Sequence, residues 1–132
     1  MQTSASIVVD CSLLADLLLT PSAITAELDL VPLWHAPDLV RVELLSVLRG
    51  HVLAGRLSQG EAREALADAE ALNLRYWHLE QVLGERVLQL AHNFSAYDAT
   101  YVALAEALDV PLATRDRRLA AAARQLISVW EV

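Results

Sequence analysis

The sequence predicts a parallel α/β fold on three observations. First, Leu (26), Ala (22) and Val (13) dominate while Phe occurs once, so the core is aliphatic and rich in strong helix formers. Second, short β-rich runs interrupt that helical background, the first of them the uninterrupted Ile7-Val8-Val9. Third, these runs alternate with helical stretches without repeats or low-complexity tracts, the arrangement that pairs strands in parallel. The chain has 132 residues, 55% hydrophobic and 20% charged. Against roughly 150 residues per domain, that length makes one domain, and the composition excludes bulk disorder.

The elements follow in order. Residues 7–9 suit a strand buried on both faces, which needs continuous rather than alternating hydrophobicity. Asp10 stands at its carboxyl end. Ser12 is placed to cap a helix over 13–19, closed by Thr20-Pro21, with a second helical segment over 22–28. Residues 31–35 form a weak strand ending at Ala36-Pro37, and Pro37 in a first helical turn opens a long helix from about 38 to 54. Gly55 closes it. Ser58 with Glu61 forms a capping-box pattern for a helix to about residue 72, and 74–77 is a short strand. A 3.6-residue rhythm at Val82, Leu83, Val87 and Leu90 marks a helix over 79–92. Ser95 and Asp98 repeat the capping spacing ahead of Tyr97, Tyr101, Leu104 and Leu108, giving a helix over 96–108. A strand at 111–113, a helix over 115–125 and a last β-rich run at 127–130 complete the alternation.

Composition also excludes several functions. Ten basic residues face seventeen acidic ones, for a net charge of -7, so no diffuse basic field attracts nucleic acid from a distance. Phosphate chemistry on such a chain needs a metal. All the basic residues are Arg, which removes Schiff-base and P-loop lysines. Cys11 is the one cysteine, so an internal disulfide or cysteine-built zinc site is excluded and a reducing, cytoplasmic compartment fits. His35, His51, His78 and His92 lack metalloprotease spacing, and the serine-hydrolase, dinucleotide and P-loop motifs are absent. The apolar stretch 7–19 is interrupted by Asp10 and Asp16 and lacks a basic leader, which predicts neither a signal peptide nor a membrane span.

Four acidic residues occupy unusual places. Ligands of open parallel sheets bind beyond the strands' carboxyl ends, where Asp10 and Asp116 are predicted. Glu43 lies three residues after Val40 and four before Val47, on the helical face those valines define. Asp98 opens the helix over 96–108. Each has a plainer reading: Asp10 and Asp116 as helix-start acceptors, Asp98 as the third residue of a capping box, Glu43 as an edge position reaching water. Four such acids at equivalent ends of one sheet exceed what capping requires. Two carboxylates about 4 Å apart repel by roughly 4 kcal/mol at an effective dielectric of 20. A divalent cation relieves that repulsion, and oxygen ligation suits Mg²⁺ or Mn²⁺ and metal-assisted phosphodiester hydrolysis.

The segments 8–12 (VVDCS), 36–43 (APDLVRVE), 95–105 (SAYDATYVALA) and 112–119 (LATRDRRL) resemble those of PIN-domain proteins, most of all VapC-type toxins. The resemblance covers nearly the whole chain. It implies a three-layer sandwich, with a central parallel sheet flanked by helices, and an Mg²⁺- or Mn²⁺-dependent ribonuclease site. Asp10, Glu43, Asp98 and Asp116 then bind the metal, with Ser12 and Thr114 as supporting hydroxyls. It also implies RNA as substrate, a cognate antitoxin as partner and a homodimer. Cys11 and Arg115 stand where small residues or threonine are more common in that family, and neither replaces an acid. The alternative is a non-catalytic PIN-like binding or regulatory module in which the same acids serve as caps. Among weaker signals, Arg117 and Arg118 beside Asp116 are read as surface ion-pairing residues, with contact to substrate phosphates as the alternative. Tyr97 and Tyr101 are read as core, with base stacking as the alternative, and Trp34, Tyr76 and Trp77 as either an interface patch or buried aromatics.

Overall fold

A computed structural model of the chain describes residues 5–20 and 26–132. Five strands, β1 (Ser6–Val9), β2 (Leu33–Pro37), β3 (Arg75–Trp77), β4 (Leu112–Thr114) and β5 (Val129–Glu131), form one sheet in the order β3-β2-β1-β4-β5. Every pairing is parallel: Ile7 lies opposite Trp34, Val9 opposite Ala113, Ala36 opposite Tyr76 and Ala113 opposite Trp130. Ile7, Val8 and Val9 are all fully buried. Because successive strand residues point to opposite faces, both faces of the sheet are covered, as the continuous apolar run predicts.

The cover comes from α1 (Cys11–Leu19), α2 (Ala26–Asp29), α3 (Leu39–Leu53), α4 (Gln59–Ala71), α5 (Gln81–Gln89), α6 (Ala96–Leu108) and α7 (Arg117–Ala123). Helices α1, α3 and α4 pack on one another, α5 packs on α6, and α6 lies against β1, β2 and β4. The small faces of Ala99, Ala103 and Ala105 let α6 approach the strands closely, and all three are buried. Among the described residues no helix is long and apolar enough to cross a membrane.

Several local features depart from the sequence reading. Asp10, not Ser12, caps α1: its side chain accepts from the Leu13 amide, so the helix starts one residue before Ser12. Part of the segment 22–28 lies outside the described residues, and α2 begins at Ala26. Pro37 ends β2 instead of opening a helix; the next amide, Asp38 N, donates to Trp77 O at 2.9 Å and completes the ladder that proline cannot. The last strand starts at Val129 because the Leu126 and Ile127 amides still bond Ala123 O, prolonging the turn after α7. Tyr97 is 62% exposed and not core, whereas Tyr101, one turn on, is 2% exposed. Trp34, Tyr76 and Trp77 are half-buried, with Tyr76 lying 3.7 Å beneath the Arg41 guanidinium and Trp77 donating to His35 Nδ1.

The order β3-β2-β1-β4-β5 reverses direction at β1. Chain connections leave β1 to one side through β2 and β3, and to the other through β4 and β5. Such a reversal opens a crevice beyond the carboxyl ends of the two strands that flank it. Here those ends are Val9-Asp10 and Thr114-Arg115-Asp116.

Candidate active site

Asp10 follows β1 directly and is 4% exposed. Its Oδ1 accepts from the Ser12 hydroxyl at 2.8 Å and the Leu13 amide at 3.0 Å, and its Oδ2 accepts from the Thr114 hydroxyl at 2.5 Å. The two hydroxyls work as a matched clamp. Ser12 Oγ also accepts from the Arg115 amide at 3.1 Å, and Thr114 Oγ1 from the Asp116 amide at 3.0 Å. Each hydroxyl therefore spends its hydrogen on one oxygen of Asp10 and a lone pair on an amide of the loop after β4, tying the two strand ends together. Burial still dominates: it raises the Asp10 pKa above the usual carboxylate value against those three donors, and the Asp116 charge pushes the same way.

Asp116 caps α7, Oδ1 accepting from the Arg118 and Leu119 amides at 3.0 and 3.1 Å. The capping reading is thus correct for this oxygen, and among the described residues nothing bonds Oδ2. Asp98 sits in the first turn of α6. The Ser95 hydroxyl accepts its amide at 3.1 Å, but no described group bonds its carboxylate. Burial raises its pKa first and the Asp116 charge second; Arg118 and Ser95 oppose them.

Glu43 projects from the second turn of α3, beside buried Val40 and Leu44. Its Oε1 accepts the Tyr101 hydroxyl at 2.5 Å, from α6. Burial again raises the pKa, helped by the charges of Asp98 and Asp10 and opposed by the Tyr101 bond. The Tyr101 hydroxyl is in turn held strongly in its neutral form by burial and by Glu43. The Cys11 thiol is pushed up to about 12 by burial and by Glu43 and Asp10, so it is no nucleophile at neutral pH.

The structure therefore brings the four acids to one end of the sheet. Helix α6 leads into β4, so its first turn, carrying Asp98, lies at the carboxyl end of the strands, where α1, α3 and α7 also begin. The charges act on one another: Asp10 and Asp98 on Glu43, and Asp116 on both Asp98 and Asp10. Among the described residues no three His, Cys, Asp or Glu side chains stand at the spacing that already coordinates an ion. Free oxygens on Asp98, Glu43 and Asp116, and three raised pKa values, still fit a group that neutralises negative charge with oxygen ligands. Ser12 and Thr114 both donate to the Asp10 carboxylate. The Tyr101 contact was not anticipated: its spacing marks a buried face without revealing what its hydroxyl meets 58 residues away.

An open parallel sheet with carboxylates converging at its switch point defines a class of α/β protein whose ligand binds across strand ends. Residues 7–125 match the PIN-domain family model, and the chain belongs to that family. It is 48% identical over 89 residues to Ribonuclease VapC1 of Mycobacterium tuberculosis, an alignment spanning 67% of this chain and 66% of that protein. It is 35% identical over 116 residues to Ribonuclease VapC12 of the same species, across 86% of this chain and 89% of that one. Among solved structures, a Pyrobaculum aerophilum protein superposes with a TM-score of 0.74 at 21% identity, over 98% of this chain and 87% of that one. A toxin–antitoxin complex from Klebsiella pneumoniae gives 0.57 at 20% identity, over 83% and 86%. At those identities the two structures bear on the fold.

Proposed function

We propose that this chain is a single PIN domain acting as an endoribonuclease, the toxin of a toxin–antitoxin pair, with Asp10, Glu43, Asp98 and Asp116 as its metal-binding and catalytic acids. The reading is supported by four acids from separate elements at the carboxyl end of the sheet, where Asp10 and Asp98 act on Glu43 and Asp116 acts on Asp10 and Asp98. The homology to VapC ribonucleases supports RNA as the substrate and an antitoxin as the partner. A homodimer and a cytoplasmic location belong to the same reading.

Asp10, Glu43, Asp98 and Asp116 would hold Mg²⁺ or Mn²⁺, which would supply an activated water and charge stabilisation at the scissile phosphate. The chain's own residues do the rest. Ser12 and Thr114 fix both Asp10 oxygens, Tyr101 fixes one Glu43 oxygen, and the α7 amides fix one Asp116 oxygen. Asp10, Glu43 and Asp116 thus present their remaining lone pairs in a set direction, the orienting role that outer hydrogen bonds play around metal ligands.

The purified chain is expected to cleave single-stranded RNA in Mg²⁺ or Mn²⁺ and to lose that activity in EDTA. Asp98→Asn, which keeps the side chain's shape and removes its charge, is expected to abolish cleavage. Full-rate cleavage by that variant removes Asp98 from the mechanism. A wild-type chain that cleaves no RNA with either metal leaves the non-catalytic binding module.

A further inference from the structure

A polar cavity of about 300 Å³ opens beside Asp98, lined by His92, Asn93, Phe94, Ser95, Arg118 and neighbouring residues. Its walls come from the turn between α5 and α6, the first turn of α6 and one side of α7. Of the four acids only Asp98 lines it; Asp10, Glu43, Asp116 and Tyr101 do not. We infer that this cavity is a nucleotide subsite, in which Arg118 takes a phosphate of single-stranded RNA and His92 and Asn93 meet the base of the nucleotide next to the scissile bond. The inference rests on the ribonuclease reading above and adds where the strand runs.

Three observations carry it. The first is position: Asp98 belongs to both the acidic centre and the cavity wall, so a strand whose scissile phosphate reaches the acids places a neighbouring nucleotide in the cavity. The second is charge. On a chain of net charge -7 an RNA strand gains little from long-range attraction, and its phosphates must be met by local cations. Around α7 the other arginines are engaged: Arg115 with Asp16 at 2.6 Å, Arg117 with Glu131 at 3.9 Å and Arg124 with Glu131 at 2.8 Å. Arg118 forms no ion pair among the described residues and lines the cavity together with Asp98. A guanidinium on that wall, near Asp98 but outside any ion pair among the described residues, is suited to a phosphate fork. The third is chemistry and size. Asn93 carries a donor and an acceptor and His92 offers ring nitrogens, the groups that read a base edge. The volume lies at the lower end of small-ligand sites.

The test compares the wild-type chain with Arg118→Gln, Asn93→Ala and, as a control at the other end of the sheet, Arg124→Gln. Each is assayed for cleavage of single-stranded RNA in Mn²⁺ and, with EDTA present, for binding of a fluorescein-labelled RNA of the same sequence. Arg118→Gln is expected to raise KM and weaken metal-free binding by roughly tenfold, the size of one charged hydrogen bond, while kcat changes much less. Its log K against log salt slope should fall by about 0.7, as for one lost single-strand phosphate contact. Asn93→Ala is expected to shift which sites are cut, and Arg124→Gln to match wild type. An Arg118→Gln chain with unchanged KM and salt slope overturns the subsite while the wild type still cleaves. A wild type that neither binds nor cleaves RNA overturns the ribonuclease reading, and the subsite with it.

Discussion

Thr114 is fully buried, and its hydroxyl has two committed partners, Asp10 Oδ2 and the Asp116 amide. Thr114→Val keeps the volume and leaves both partners unpaired, one of them a carboxylate oxygen. The expected cost is about 1–3 kcal/mol of unfolding free energy, read as a fall in the urea midpoint, with Thr114→Ser close to wild type. A Thr114→Val midpoint equal to wild type would show that the clamp contributes nothing to the fold. Tyr101→Phe is a sharper probe because the ring stays and only the bond to Glu43 goes. Without that donor the Glu43 pKa, already raised by burial, rises further. If cleavage needs Glu43 ionised, the variant loses more activity at mildly acidic than at alkaline pH, and a pH–rate profile with an unmoved acid limb argues against Glu43 in that role. Three of the acids stood out in the sequence because each breaks a pattern, Glu43 on an apolar stripe and Asp10 and Asp116 after β-rich runs, whereas Asp98 occupies an ordinary capping position. The sequence could not show Tyr101 as their partner, since periodicity assigns a side chain to a face and says nothing about a hydroxyl's distant acceptor.

Helix starts were legible for a local reason. Ser58 and Glu61 form the reciprocal capping box their spacing predicts, and the Ser95 hydroxyl accepts the Asp98 amide, so α6 begins at Ala96 as read. These bonds close within three residues and depend on nothing elsewhere in the chain. Gly55, after α3, has φ +75, a conformation other residues adopt at a cost. Strand limits were less legible, because pairing with a neighbour decides them. Register against β3 draws Pro37 into β2, and a prolonged turn after α7 delays β5. Ser95→Ala is expected to destabilise the protein by about 1 kcal/mol. It also releases the turn that aims Asp98, so cleavage should fall by more than the loss of folded protein explains. Circular dichroism melts paired with activity at a temperature where both chains are folded separate the two effects, and activity tracking folded fraction alone would make Ser95 a cap and nothing more.

For the molecule as a whole, the acidic centre opposes the stability of the fold that builds it. Asp10, Glu43 and Asp98 all have pKa values raised in the folded chain above their ordinary 3.8, 4.5 and 3.8. A carboxyl with a raised folded pKa favours the native state when protonated, and that contribution is lost as pH climbs through the raised value. At neutral pH the three are therefore ionised at a cost, shared among charges on four elements. Asp98→Asn removes one of those charges and is expected to melt above wild type at neutral pH, the gap closing as pH falls toward 3.8. A divalent cation should do the same work without mutation. Held by the native acids and not by the unfolded chain, Mn²⁺ at a hundred times its Kd stabilises by about 2.7 kcal/mol, roughly 10 °C in Tm for a domain of this size. Asp98→Asn should respond much less, having lost both a ligand and part of the repulsion that the ion relieves. A Tm that rises equally in the two proteins would place the bound ion elsewhere. A wild-type Tm unmoved by millimolar Mn²⁺ or Mg²⁺ would mean that these four acids do not form a metal site, leaving their convergence to be explained by capping and hydrogen bonding alone.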